Sequence, residues 1–101
     1  MSWLPMLEGK TVGTAGSEQG VIVLDEEHTW GARITLEREG STAPWAVTSG
    51  IYGQFLHTAF ASSEAEGMTK YSGMKADLEK IMAEEDSDER YGKMKRFSQV
   101  Y

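Results

Sequence analysis

Between residues 32 and 36 the chain alternates strictly: Ala32, Ile34 and Leu36 are apolar, Arg33 and Thr35 polar, and Glu37 continues the polar set. A period of two sends the apolar members to one face of an extended strand and the polar members to the other, the pattern of an antiparallel strand with one solvated face. Residues 45–49 read as the next strand, with Trp45 and Val47 on one face and Ala46 and Thr48 on the other. The compact apolar run 21–24 reads as a further strand, and the acidic Asp25-Glu26-Glu27-His28 that follows reads as a turn. Residues 55–61 are rich in β-formers and partly apolar on both faces, which predicts a central strand beneath a helix. Before residue 21, Gly9, Gly13, Gly16 and Gly20 break up a polar segment in which a short edge strand at 10–14 is all that the pattern offers.

After residue 62 the period changes. Ser63 suits a helix N-cap and Glu66 its reciprocal partner, so that two unpaired amides of the first turn are satisfied together. Ala65, Met68, Tyr71, Met74, Leu78, Ile81 and Met82 then recur at steps of three and four, with Lys70, Lys75, Asp77, Glu79 and Lys80 opposite. Gly67 and Gly73 each cost up to about 1 kcal/mol against alanine in a helix interior, so burial of the apolar face must supply the stability. A charged break at 84–89 leads to Tyr91, Met94, Phe97 and Tyr101, again at helical spacing, which is either a second helix packed on the sheet or a frayed tail. Residues 40–44 compose a turn, and Gly50 and Gly53 mark a bulge or sharp corner. Strands followed by helices predict the α+β class: an antiparallel meander of three to five strands, one long helix packed on it and a short C-terminal helix, in one domain spanning 1–101.

A chain of 101 residues can bury about 60 to 70% of its unfolded surface in one core. It has no cysteine, which excludes disulfides and thiolate metal sites and points to a reducing compartment. The N-terminus meets Glu8 before any apolar leader region forms, and no run reaches membrane-spanning length, so the expectation is a soluble cytoplasmic protein without a membrane partner. Sixteen acids against ten bases give a net charge of −6, which disfavours nucleic acid and favours a basic protein surface as partner.

Gly9-Lys10-Thr11 lacks the upstream glycine and strand of a phosphate loop, and Asp86-x-Asp88 lacks the glycine and final glutamate of a calcium loop. No combination of residues spells out a catalytic set, and no cofactor or metal is predicted: His28 with Asp25 and Glu27 is too sparse a ligand group. His57 shares a strand face with Phe55 and Ala59 and reads as an interior or rim residue. Two sets of candidates remain. Tyr52, His57 and Tyr71 would line a ligand pocket between sheet and helix, whereas Asp25, Glu26, Glu27 and Trp30 would meet a protein partner.

The runs Gly31-Ala32-Arg33-Ile34-Thr35-Leu36-Glu37, Ala43-Pro44-Trp45-Ala46-Val47-Thr48, Gly50-Ile51-Tyr52-Gly53 and His57-Thr58-Ala59-Phe60 resemble a small bacterial family of about this length, in which an Ile-Tyr-Gly stretch and a His-Thr pair precede a Glu/Ala-rich helix. The likeness spans residues 31–82. In its acidity and α+β pattern the chain is also similar to immunity proteins of bacterial toxin systems. These resemblances imply a compact bacterial cytosolic domain and bring no catalytic residue with them. The reading that follows is a non-enzymatic module binding a basic protein or its own copy; the alternative is a small-molecule-binding or enzymatic domain built around Tyr52, His57 and Tyr71.

Overall fold

The computed structural model describes residues 3–101. In chain order the elements are β1 (Trp3–Pro5), a 3-10 segment (Met6–Gly9), β2 (Val21–His28), β3 (Ala32–Arg38), β4 (Trp45–Ile51), β5 (Phe55–Ala61), α1 (Glu64–Ala83) and α2 (Ser87–Val100). The strands pair antiparallel in sequence order, β1 to β5, as one meander, and both helices lie on one face of it. This is an α+β fold with the long helix and shorter C-terminal helix that the periodicity predicts. Among the described residues no helix is long and apolar enough to cross a membrane.

The alternation at 32–36 does its expected work: Ala32, Ile34 and Leu36 are buried beneath α1 together with Val47 and Ile51 of β4 and Ala59 of β5. From above, Tyr71, Met74, Leu78 and Ile81 fill the same layer. Ala65 and Met68, assigned to the apolar face by their spacing, are exposed, Met68 by 40%, and buried Gly67 takes the contact instead. A Cβ at Gly67 would lie 3.3 Å from Leu36 and 3.5 Å from Trp45. The glycine that weakens the helix locally thus lets it approach the sheet.

At the start of α1 the Ser63 hydroxyl accepts the Glu66 N–H, as predicted, but the Glu66 carboxylate reaches back to the N–H and hydroxyl of Ser62 rather than to Ser63. The Ser62 amide holds this carboxyl below its ordinary value. The charged break is shorter than its composition implies, because Asp86 caps α2 by accepting the Glu89 N–H at 2.9 Å. The C-terminal segment is a docked helix: buried Phe97 meets Phe55 edge-on at 5.4 Å, and the Tyr101 hydroxyl donates to Asp77 at 2.5 Å. Gly73 makes room for that tyrosine, whose oxygen lies 2.8 Å from where a Cβ would stand.

Three strand expectations are corrected. Residues 10–14 form turns, with an isolated bridge at Ala15–Val21, and the edge strand is Trp3–Pro5. The acids 25–27 are not a turn but the second half of β2, since each carboxylate has a partner across the sheet or beneath the helix. Finally, β5 is an edge strand, not a central one. Its inner face is partly apolar because the helices cover it, whereas Leu56 and Phe60 on the outer face are 76% and 40% exposed.

Candidate functional site

The register sorts the uncovered face of the sheet into three cross-strand rows. Leu4, Glu27, Arg33, Gly50 and Leu56 form the first; Asp25, Thr35, Thr48 and Thr58 the second; Ile22, Glu37, Ala46 and Phe60 the third. Residues 15–20 fold back over the third row and are pinned there by Glu37, a buried carboxylate that accepts the Gly20 N–H at 2.8 Å and the Glu18 N–H at 3.2 Å. A Cβ at Gly16 would fall 2.5 Å from that carboxylate, so any larger residue there would push the Glu37 carboxylate from its place.

Between this folded segment and the β4–β5 turn lies a groove of about 760 Å³. Its floor holds Arg33, Thr35, Thr48 and Thr58, and its walls include Glu18, Tyr52 and Leu56. Thr48 and Thr58 share a hydrogen bond of 3.0 Å, and Ser17 reaches Thr48 at 3.4 Å.

Arg33 is fixed by Asp25 through a two-point pair, Nε to Oδ1 at 3.0 Å and Nη2 to Oδ2 at 2.6 Å. The Thr35 hydroxyl adds a third bond to Oδ1. The aspartate side chain is fully buried while 39% of the arginine side chain is exposed, so the pair presents a guanidinium to the groove with its counter-charge underneath. Asp25 raises the arginine further above its ordinary value. Beside it the Tyr52 hydroxyl donates to Glu27 at 2.7 Å; burial first, and then this bond, push the phenol up to about 12.

The covered face carries different chemistry. Glu26 sits beneath α1, accepting the Tyr71 hydroxyl at 2.5 Å and the Lys75 ammonium at 2.8 Å. Burial, the largest influence, pushes the Glu26 carboxyl up, but Lys75 and Tyr71 together outweigh it and its value is lowered. His28 is buried between Trp3 and Trp30. Its Nδ1 accepts the Trp30 N–H at 3.0 Å, which leaves Nε2 to carry the proton and donate to Glu79 at 3.2 Å.

These positions separate the residues that the sequence groups together. Tyr52 lies on the uncovered side, whereas His57 stands in β5 opposite Ser49 on the helix side, its ring 6.1 Å from Phe97. Tyr71 is on that side too, bonded to Glu26. The three therefore do not line one pocket, and the space between sheet and helices is filled by Met74, Leu78, Ile81 and Phe97. The partner-binding set also divides: Asp25 and Glu27 face the groove side, Glu26 faces α1, and Trp30 stands 61% exposed at the β2–β3 turn. With His28 on the opposite face from Asp25 and Glu27, these side chains do not converge on a metal, and among the described residues no group of three or more His, Cys, Asp or Glu does.

Arg33, Glu37 and the three threonines were not singled out from the sequence. Their signal was present in the polar half of the 32–37 alternation. With 25–27 as strand, Asp25 and Glu27 fall on the same face as Arg33 and Thr35.

The Glu26 arrangement makes stability depend on pH. A carboxyl whose value is lowered by folding adds stability above its unfolded value, about 4.3, and loses it as pH falls through the lower folded value. Urea midpoints of the wild type and Glu26→Gln should therefore differ at neutral pH and converge as the buffer is taken from pH 5 towards pH 2.5; a constant gap would show that the ion pair is not its source.

Compared with protein-family models, with curated proteins and with solved structures, the chain has no significant match.

Proposed function

We propose that this chain is a non-enzymatic protein-binding module that takes an extended, basic segment of a partner into the groove on the uncovered sheet face. The observation that carries this reading is the charge around an otherwise apolar and hydroxyl-lined trough. Glu18 lines it and Glu27 stands beside Arg33 in the first row, the carboxylates of Asp25 and Glu37 are buried next to it, and Arg33 is the one cation among its described lining residues, in a chain of net charge −6. A cationic segment gains from this surplus during approach as well as after docking. The Arg33 guanidinium, which gives only Nε and Nη2 to Asp25, is placed to donate from Nη1 to a backbone carbonyl, and Leu56 and Tyr52 offer apolar surface to side chains at the rim.

Binding is favoured over catalysis because the polar lining groups spend their hydrogen bonds on one another, and neither histidine lines the groove. A second reading keeps the same trough for a small molecule, since about 760 Å³ falls within the range of such pockets, on the order of 300–1,000 Å³. Peptide display against the folded chain separates the two. Selected peptides should be rich in Lys and Arg, and their binding should be lost in Glu27→Lys and weakened by added salt. Peptides without a basic bias, or indifferent to Glu27→Lys, would refute the proposal, and thermal stabilisation by compounds but by no peptide would favour the second reading.

A further inference from the structure

We infer that β5 is a self-pairing edge through which two copies of this chain join into one continuous sheet. Its seven residues, Phe-Leu-His-Thr-Ala-Phe-Ala, contain no charge, glycine or proline, and it is the last strand of the meander. Free edges are ordinarily blunted by such residues or kept very short, as β1 is, with three residues ending in Pro5. In a chain of net charge −6 most surfaces repel a second copy, whereas this strand offers no like charge to itself.

The strand is also complementary to itself about its centre, Thr58. An antiparallel partner in that register sets Leu56 opposite the second copy's Phe60, and Phe60 opposite its Leu56, joining apolar side chains that are 76% and 40% exposed in the single chain. On the helix side each large residue meets a small one, Phe55 against Ala61 and His57 against Ala59. The Phe60 carbonyl points outward, where it accepts the Lys70 ammonium at 2.6 Å. Residues two apart in a strand direct their backbone groups the same way, so Leu56, Thr58 and Phe60 present theirs to the incoming edge. Pairing replaces the lysine with a backbone N–H and leaves Lys70 beside Glu66, its 3.6 Å neighbour on α1.

Such a dimer places two Thr58 Cα atoms about 5.5 Å apart, within disulfide reach. The chain has no cysteine of its own, so a single introduced one reports cleanly. Sedimentation equilibrium of the wild type should give twice the 11.2 kDa chain mass, and Leu56→Lys/Phe60→Lys, which alters only exposed side chains, should return it to the single mass with unchanged far-UV circular dichroism. On mild oxidation Thr58→Cys should cross-link nearly fully, and Thr42→Cys, exposed in the β3–β4 connection, should not at equal concentration. A wild type that stays at the single mass at millimolar concentration, a dimer that survives the double lysine change, or equal cross-linking at both cysteines would overturn the inference.

Discussion

Leu78→Ala should lower the free energy of unfolding by about 3–5 kcal/mol, the upper part of the range for deleting a fully buried leucine. Leu78 has no exposed surface and stands in the layer where Ile34, Val47 and Ile51 of the sheet meet Met74 and Ile81 of α1. Truncation removes the transfer energy of the lost carbons and leaves a void that a sheet on one side and a helix backbone on the other cannot close. In a domain of this size each 1 kcal/mol moves the melting temperature by about 4–8 °C, so calorimetry should find a fall well beyond 10 °C. A loss below about 1.5 kcal/mol would mean that α1 shifts to fill the gap, and would weaken the account of Gly67 as the contact that fixes the helix on the sheet.

Arg33→Met should cost about 3 kcal/mol, the low end of what breaking a buried ion pair costs, because the methionine leaves a buried Asp25 carboxylate with only the Thr35 hydroxyl as a side-chain donor. The double change Asp25→Leu/Arg33→Met should recover most of that loss, since an apolar pair has no charge to desolvate. Arg33→Lys should fall between them: an ammonium keeps the charge but cannot make the two parallel bonds that the guanidinium makes to both carboxylate oxygens. Urea titration of the four proteins decides the matter. If Arg33→Met and the double variant are equally unstable, the arginine stem, and not the pairing of the buried charge, is what stability needs.

The elements legible in the sequence were those whose pattern is local. The alternation at 32–36 marked β3, the change to steps of three and four at Tyr71, Met74 and Leu78 marked α1, and Phe97 and Tyr101 marked α2. Each states which side chains share a face, and any fold that buries that face must respect it. Asp25, Glu26 and Glu27 resemble a solvated turn in sequence because they are three consecutive acids. Only the neighbours brought by pairing and helix packing, Arg33, Lys75 with Tyr71, and Tyr52, make a strand of them.

The candidate site was less legible for the same reason. Tyr52, His57 and Tyr71 lie close in sequence or on neighbouring elements, yet strand pairing sends Tyr52 to one side of the sheet and His57 to the other. By itself the sequence determined the α+β class, the apolar face of β3, that of α1 from Tyr71 to Ile81, and the negative charge, because each is a property of nearby residues or of a sum over all of them. Which face stayed uncovered, that β5 ended as an edge, and that Arg33 came to rest on Asp25 beside a groove were decided by tertiary structure alone. Those outcomes depend on contacts between residues far apart in the chain, and no local period encodes them.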